Sequence, residues 1–164
     1  MDGARVRCDR RGSYAEVMAV DEELLSLHRY FLAANQQRVQ FEQALGDHAA
    51  AHGGAPVYAG ENWNESWLWM SYWYAGLYVV IEGWRELGLA DQEVDRLLDS
   101  PNVELLRRFR NGTFHYQRKY WSEKLVELIR DGQDIPQWVS ELNRMFGRYF
   151  LIRFGRIPAD APAQ

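Results

Sequence analysis

The sequence predicts an all-α fold, a four-helix bundle with additional short helices. Three observations predict it. Apolar residues recur at helical spacing in several long segments, no segment reads as a convincing run of strands, and the breaks between segments fall at Gly and Pro clusters. The 164 residues are 47% apolar and 26% charged, enough for one packed domain and too apolar for wholesale disorder.

Residues 1–20 read as a weakly ordered lead-in and residues 155–164 as a flexible tail, leaving a single helical domain over 21–154. The first helix is expected over residues 21–51, with Leu24, Leu27, Phe31, Leu32, Val39, Phe41 and Leu45 inward. Asp21, Glu22 and Glu23 would then lie in its first turn, where the helix dipole favours negative charge. "HGGAPVYAG" reads as a loop. A second helix is expected over 64–87, stopped by Gly88. Trp63, Trp67, Met70, Tyr74, Leu77, Ile81 and Trp84 form one stripe, and Trp69, Trp73 and Val80 lie on other faces. A helix apolar nearly all round belongs at the centre of the fold or against a partner chain.

"LADQEVDRLLD" follows as a short helical turn. "SPNVELLRRFR" then has Ser100 as N-cap and Pro101 at the first helical position, with the helix ending near Asn111-Gly112. Two further helices are expected over 122–130 and 136–154, separated by the breaker "DGQDIP".

Composition narrows the function classes. The formal net charge is −4, which disfavours a non-specific polyanion binder. Cys8 is the only cysteine, so no intrachain disulfide or cysteine metal site can form, and a cytoplasmic setting fits. The longest uncharged run, "SWLWMSYWYAGLYVVI", has sixteen residues and is short for a membrane span of about 20. The N-terminal "MDGARVRCDRRG" lacks the apolar core of a signal peptide. No Walker loop, dinucleotide fingerprint, HExxH or nucleophile elbow is present. His48 and His52 are spaced i, i+4, yet two imidazoles alone do not close a metal shell.

The stretch that carries chemistry is "LLRRFRNGTFHYQRK". Between Glu104 and Tyr120 stand Arg107, Arg108, Arg110, Arg118 and Lys119 against one carboxylate, on a chain that is acidic as a whole. Such a local excess of cations suits RNA phosphates, although cations also favour helix C-termini for dipole reasons. Within the stretch, "RNGTFH" brings a guanidinium (Arg110), an amide (Asn111) and an imidazole (His115) close together in sequence. Composition alone yields roughly 0.4 Arg-x4-His matches, and roughly 0.015 with Asn directly after the Arg. Residues five apart on a continuous helix diverge by about 140°, so a turn at Gly112 is expected to bring His115 back towards Arg110. An acid/base and a cation at phosphorus suffice for RNA cleavage by its own 2′-OH, without metal or other cofactor. Glu82 interrupts the apolar second helix, and a salt bridge with Arg85 is its expected structural role.

"RNGTFH" resembles the Arg-x4-6-His motif of the HEPN superfamily, small helical bundles that commonly dimerise and include many metal-independent endoribonucleases of toxin–antitoxin, phage-defence and RNA-processing systems. The resemblance covers the motif closely and the helix order loosely. It implies a homodimer in which Arg110 and His115 of two protomers form one composite cleft. Asn111 would position RNA, Arg107, Arg108, Arg118 and Lys119 would bind it, and Glu82 and Tyr116 would stand behind. The product implied is a 2′,3′-cyclic phosphate, and an antitoxin or other protein is an implied partner. One HEPN toxin group carries a Tyr two residues after the His that its antitoxin modifies with AMP. Gln117 stands there, and Tyr116 and Tyr120 are out of register. The competing readings are a catalytically inactive HEPN-like dimeric binding or scaffold module, and an unrelated bundle that holds an apolar ligand through its Trp cluster.

Overall fold

A computed structural model of the chain describes residues 11–52 and 65–155. The class is all-α. Among the described residues the order is α1 (Arg11–His52), α2 (Glu65–Glu86), α3 (Gln92–Leu98), α4 (Asn102–Phe114), α5 (Glu123–Asp131) and α6 (Ile135–Arg153), with no strand. No helix among them is long and apolar enough to cross a membrane. Trp63, Cys8, the "GGAPVYAG" segment and the tail beyond Gly155 lie outside the described residues, as does the side chain of His52.

Two expectations about α1 are corrected. It begins at Arg11, not near residue 21, so Asp21, Glu22 and Glu23 lie inside the helix and not in its first turn. Leu32 and Val39 face solvent. The buried stripe is Leu24, Leu27, Phe31 and Ala34, the 3-4-3 spacing of one helix face.

α2 is the central helix, as its near-uniform apolarity requires. Trp67, Met70, Trp73, Tyr74, Leu77, Val80, Ile81 and Trp84 are all buried. It runs antiparallel to α1, with Leu27 against Gly83, Ala34 against Gly76 and Phe41 against Trp73. The approach is close because a Cβ at Gly76 would lie 3.2 Å from the Ala34 methyl. Gly88 then stops α2 in the left-handed conformation (φ 59°). Its N–H donates to the Arg85 carbonyl (3.2 Å) and that of Leu89 to the Trp84 carbonyl (3.1 Å), the paired closure that satisfies the last free carbonyls of a helix.

α6 closes the bundle antiparallel to α1. Phe150 meets Phe31 (ring centroids 5.3 Å apart), and Asn143 reaches both neighbours at once. Its Oδ1 accepts from the Trp73 indole (3.2 Å) and its Nδ2 donates to Asn35 (3.1 Å), so both polar atoms of a buried amide are engaged in joining α1, α2 and α6. α3 begins at Asp91, whose carboxylate accepts from the N–H groups of Glu93 and Val94 (3.0 and 3.2 Å). The Trp138 indole pins α6 to the end of α3 through the Leu97 carbonyl (3.1 Å).

His28 sits on α1 among Phe31, Phe150 and Phe154, and burial there holds its pKa below the ordinary 6.5. The unfolded chain takes up this proton first as pH falls. Folding stability is therefore expected to be full above about pH 6.5 and to decline as pH drops from there towards the lowered folded value. Urea unfolding of wild type and His28→Leu between about pH 5 and 7.5 checks this. The wild type should lose more stability on acidification than the variant; parallel curves would disprove it.

Candidate functional site

The motif lies on α4, which packs on α2 through Phe109. That ring is fully buried and lies 6.1 Å from both Trp67 and Tyr74. The helix starts behind Ser100, whose Oγ accepts the Asn102 N–H (3.2 Å), with Pro101 at the N-cap in the helical region. It does not end at Gly112. The helix passes through that residue and stops at His115, where the backbone turns extended (φ −116°, ψ 136°). Glycine costs about 1 kcal/mol against alanine inside a helix. Here it lets α5 approach, because a Cβ at Gly112 would stand 3.0 Å from Leu125 side-chain atoms and 3.2 Å from the Lys124 Cβ. Gly112 is thus a packing residue between α4 and α5. It does not fold His115 back onto Arg110, and among the described residues no hydrogen bond joins those two side chains.

What α4 does present is a fixed guanidinium. The Arg110 side chain is only 21% exposed and lies over the Tyr78 ring, 5.1 Å from its centroid. Its Nη1 donates to the Asn111 amide oxygen (2.9 Å) and its Nη2 to a Glu82 carboxylate oxygen. Glu82 therefore pairs across the helix interface with Arg110, where a bond to Arg85 on its own helix had been expected. Tyr78 and Glu82 are one helical turn apart on α2, so one face of α2 supplies both the floor and the clamp. Burial, with Glu82 alongside, raises the Tyr78 pKa and keeps the phenol protonated. Asn111 thus acts first on Arg110, since its oxygen is already committed there. The Arg110 Nε–H is buried and has no hydrogen-bond partner among the described residues.

His115 is exposed at the end of α4. Its carbonyl accepts from the Gln117 side chain (2.7 Å), which anchors the start of the α4–α5 loop to the end of α4. The position that would need a tyrosine for modification by AMP therefore has a local structural role, and Tyr116 beside it is almost fully exposed.

The cations of the stretch divide into two groups. Arg107 binds Glu104 (2.6 and 2.8 Å), which raises the Arg107 pKa and lowers that of Glu104. Arg108 binds Glu127 of α5 (2.9 Å), a carboxylate only 12% exposed that needs a counter-charge. Arg110 binds Glu82. Arg118 and Lys119, on the loop, have no carboxylate at ion-pair distance among the described residues. The basic patch read along the chain is thus neutralised on α4 and survives on the loop after it. No cluster of three metal-ligating side chains occurs among the described residues.

An apolar groove of about 500 Å³ lies beside the motif, lined by Tyr30, Ala33, Trp69, Tyr72, Val79 and Phe114 among others. Tyr72 stacks on Phe114 (6.1 Å, 23°), the residue before His115. Tyr30 and Val79 also line an adjoining hollow that contains Glu82. The groove therefore touches the motif at Phe114, and the hollow beside it reaches Glu82, the carboxylate that holds Arg110. Sequence reasoning missed Tyr78 and this groove. The four-residue spacing of Tyr78 and Glu82 was the available signal for the first, and the exposed pairing of Tyr72 with Phe114 carries none. Comparisons with family models, curated proteins and solved structures return no match to the chain.

Proposed function

We propose that the protein is a metal-independent endoribonuclease of HEPN type, acting in a toxin, defence or RNA-processing role. Arg110 and His115 serve a cleft shared by two copies of the chain. The observation that carries this reading is the guanidinium of Arg110, held by Glu82, Asn111 and Tyr78 at the end of a helix that next presents an exposed imidazole. A preset cation stabilises charge developing on phosphorus without reorganising during the reaction. His115 moves the proton of the 2′-OH or of the leaving oxygen. Among the described residues no hydrogen bond joins the Arg110 and His115 side chains, and in this reading a second copy supplies the other half of the cleft. The apolar groove beside them, ending on Phe114, is the face that copy covers.

Purified protein is expected to cut single-stranded RNA in EDTA and to leave 2′,3′-cyclic phosphate ends, read by mass spectrometry. Intact RNA after prolonged incubation would refute the proposal. For the dimer, Phe114→Glu places a charge in the groove and should weaken self-association by about 30-fold or more, as loss of an aromatic interface anchor does. Sedimentation velocity measures this, and unchanged dimer mass would exclude the groove as the interface.

The second reading, a dimeric binding module without catalysis, is favoured by one observation. Arg110 is already occupied by a carboxylate. A dimer that binds RNA and never cuts it would establish that reading.

A further inference from the structure

We propose that the loop joining α4 to α5, "HYQRKYW", is a platform for single-stranded RNA, with Tyr116 and Trp121 as stacking surfaces for bases and Arg118 and Lys119 as phosphate contacts. This deepens the nuclease reading and rests on it. The loop begins at His115 and sets two basic side chains between aromatic ones. Tyr116 is 91% exposed, Trp121 51% and Tyr120 48%, an unusual display for three large aromatic rings in six residues.

Two of the three rings are held in place. Trp121 lies on the Trp67 ring at the head of α2 (4.9 Å), and Tyr120 packs edge-on against Trp121 (5.2 Å). The Trp67 indole donates to the Tyr120 hydroxyl (3.1 Å). The core thus holds one face or edge of Trp121 and Tyr120 and leaves another to solvent, while Tyr116 projects into solvent beside them. Gln117, bonded to the His115 carbonyl, fixes the first turn of the loop relative to the imidazole. A base stacks on any aromatic face, so such a surface tolerates sequence, and it requires the base to be unpaired. The A-form duplex keeps its bases stacked inside and offers no such face. Charge agrees: the three arginines of α4 are held by carboxylates, whereas among the described residues Arg118 and Lys119 are not. The loop is where this acidic chain can meet a phosphate.

The test uses a fluorescent, single-stranded 2′-O-methyl oligonucleotide. It cannot be cut by 2′-OH attack, so binding is read apart from cleavage. Anisotropy titrations are expected to show tighter binding of the single strand than of its duplex. Tyr116→Ala should weaken binding about 5- to 100-fold while Tyr116→Phe leaves it unchanged. The Arg118→Ala/Lys119→Ala variant should lower the slope of log affinity against log salt by about 1.4. Tyr116 is so exposed that its replacement leaves the fold intact, and a thermal melt verifies this. Wild-type affinity in Tyr116→Ala together with an unchanged salt slope overturns the platform, even where the wild type cuts RNA. Equal affinity for duplex overturns it as well. Unchanged oligonucleotide affinity with altered sedimentation mass in the variants assigns the loop to a protein contact and also overturns it. Loss of binding as expected, in a protein that cuts no RNA, upholds the platform and refutes the nuclease.

Discussion

Replacing Arg110 by Ala is expected to lower RNA cleavage by about 10²- to 10³-fold, and His115→Ala by about 10²- to 10⁴-fold. The two effects have different origins. Arg110 delivers a charge whose place is set by Glu82, Asn111 and the Tyr78 ring. Arg110→Lys keeps the charge but cannot hold a carboxylate and an amide with one planar fork, so it should behave much like Arg110→Ala. In the proposed reaction His115 moves a proton, so its loss should slow cleavage without weakening RNA binding. A His115→Ala variant that cuts normally would remove His115 from the chemistry. Because the two residues act as a unit, the double variant should be little worse than the poorer single one.

The shared cleft has its own test. Mixing inactive Arg110→Ala with inactive His115→Ala protein lets mixed dimers assemble a cleft holding one intact arginine and one intact histidine. Partial recovery of cleavage is expected. A cleft completed within each chain would show none, since neither variant carries both groups.

The largest effect on stability is expected at Trp84. Its ring is buried to 1% exposure and meets Tyr149 edge-on (4.6 Å) and Phe146 (5.5 Å), while its indole N–H donates to Asp95 (3.2 Å). One side chain therefore ties α2 to α3 and α6. Trp84→Ala should cost about 3–5 kcal/mol through lost burial and the cavity left behind. Against a typical stability of about 5–15 kcal/mol, that leaves a marginal protein. Trp84→Phe keeps most of the packing and forfeits the hydrogen bond, at about 1–2 kcal/mol. Urea unfolding followed by circular dichroism measures both. A loss below about 1 kcal/mol for Trp84→Ala would show that the site collapses around the missing ring.

Much of the fold was legible because its signals are local. The all-apolar α2 had to be central, and it is. Gly88, Ser122 and the "DGQDIP" break mark helix ends within one or two residues of where they fall. The failures share one cause. Gly112 carries a local preference for ending a helix worth about 1 kcal/mol, and the contact that overrides it, with Leu125, lies on another helix. Leu32 and Val39 fit a helical stripe along α1, but which apolar residues face inward depends on where α2 and α6 sit.

The site divides along the same line. Residue types and their spacing in "RNGTFH" came from the chain alone, together with the cations on either side and the carboxylate that interrupts α2. The all-α class came from the chain alone too, since periodicity and breakers are properties of neighbours in sequence. Tertiary structure decided which charges remain available. It gave Glu82 to Arg110, Glu127 to Arg108 and a tyrosine ring to the guanidinium, and it left Arg118 and Lys119 on the loop without a carboxylate partner among the described residues. Charge pairing falls off over a few ångströms, and the packing of α4 on α2 and α5 sets those distances between residues far apart in the chain.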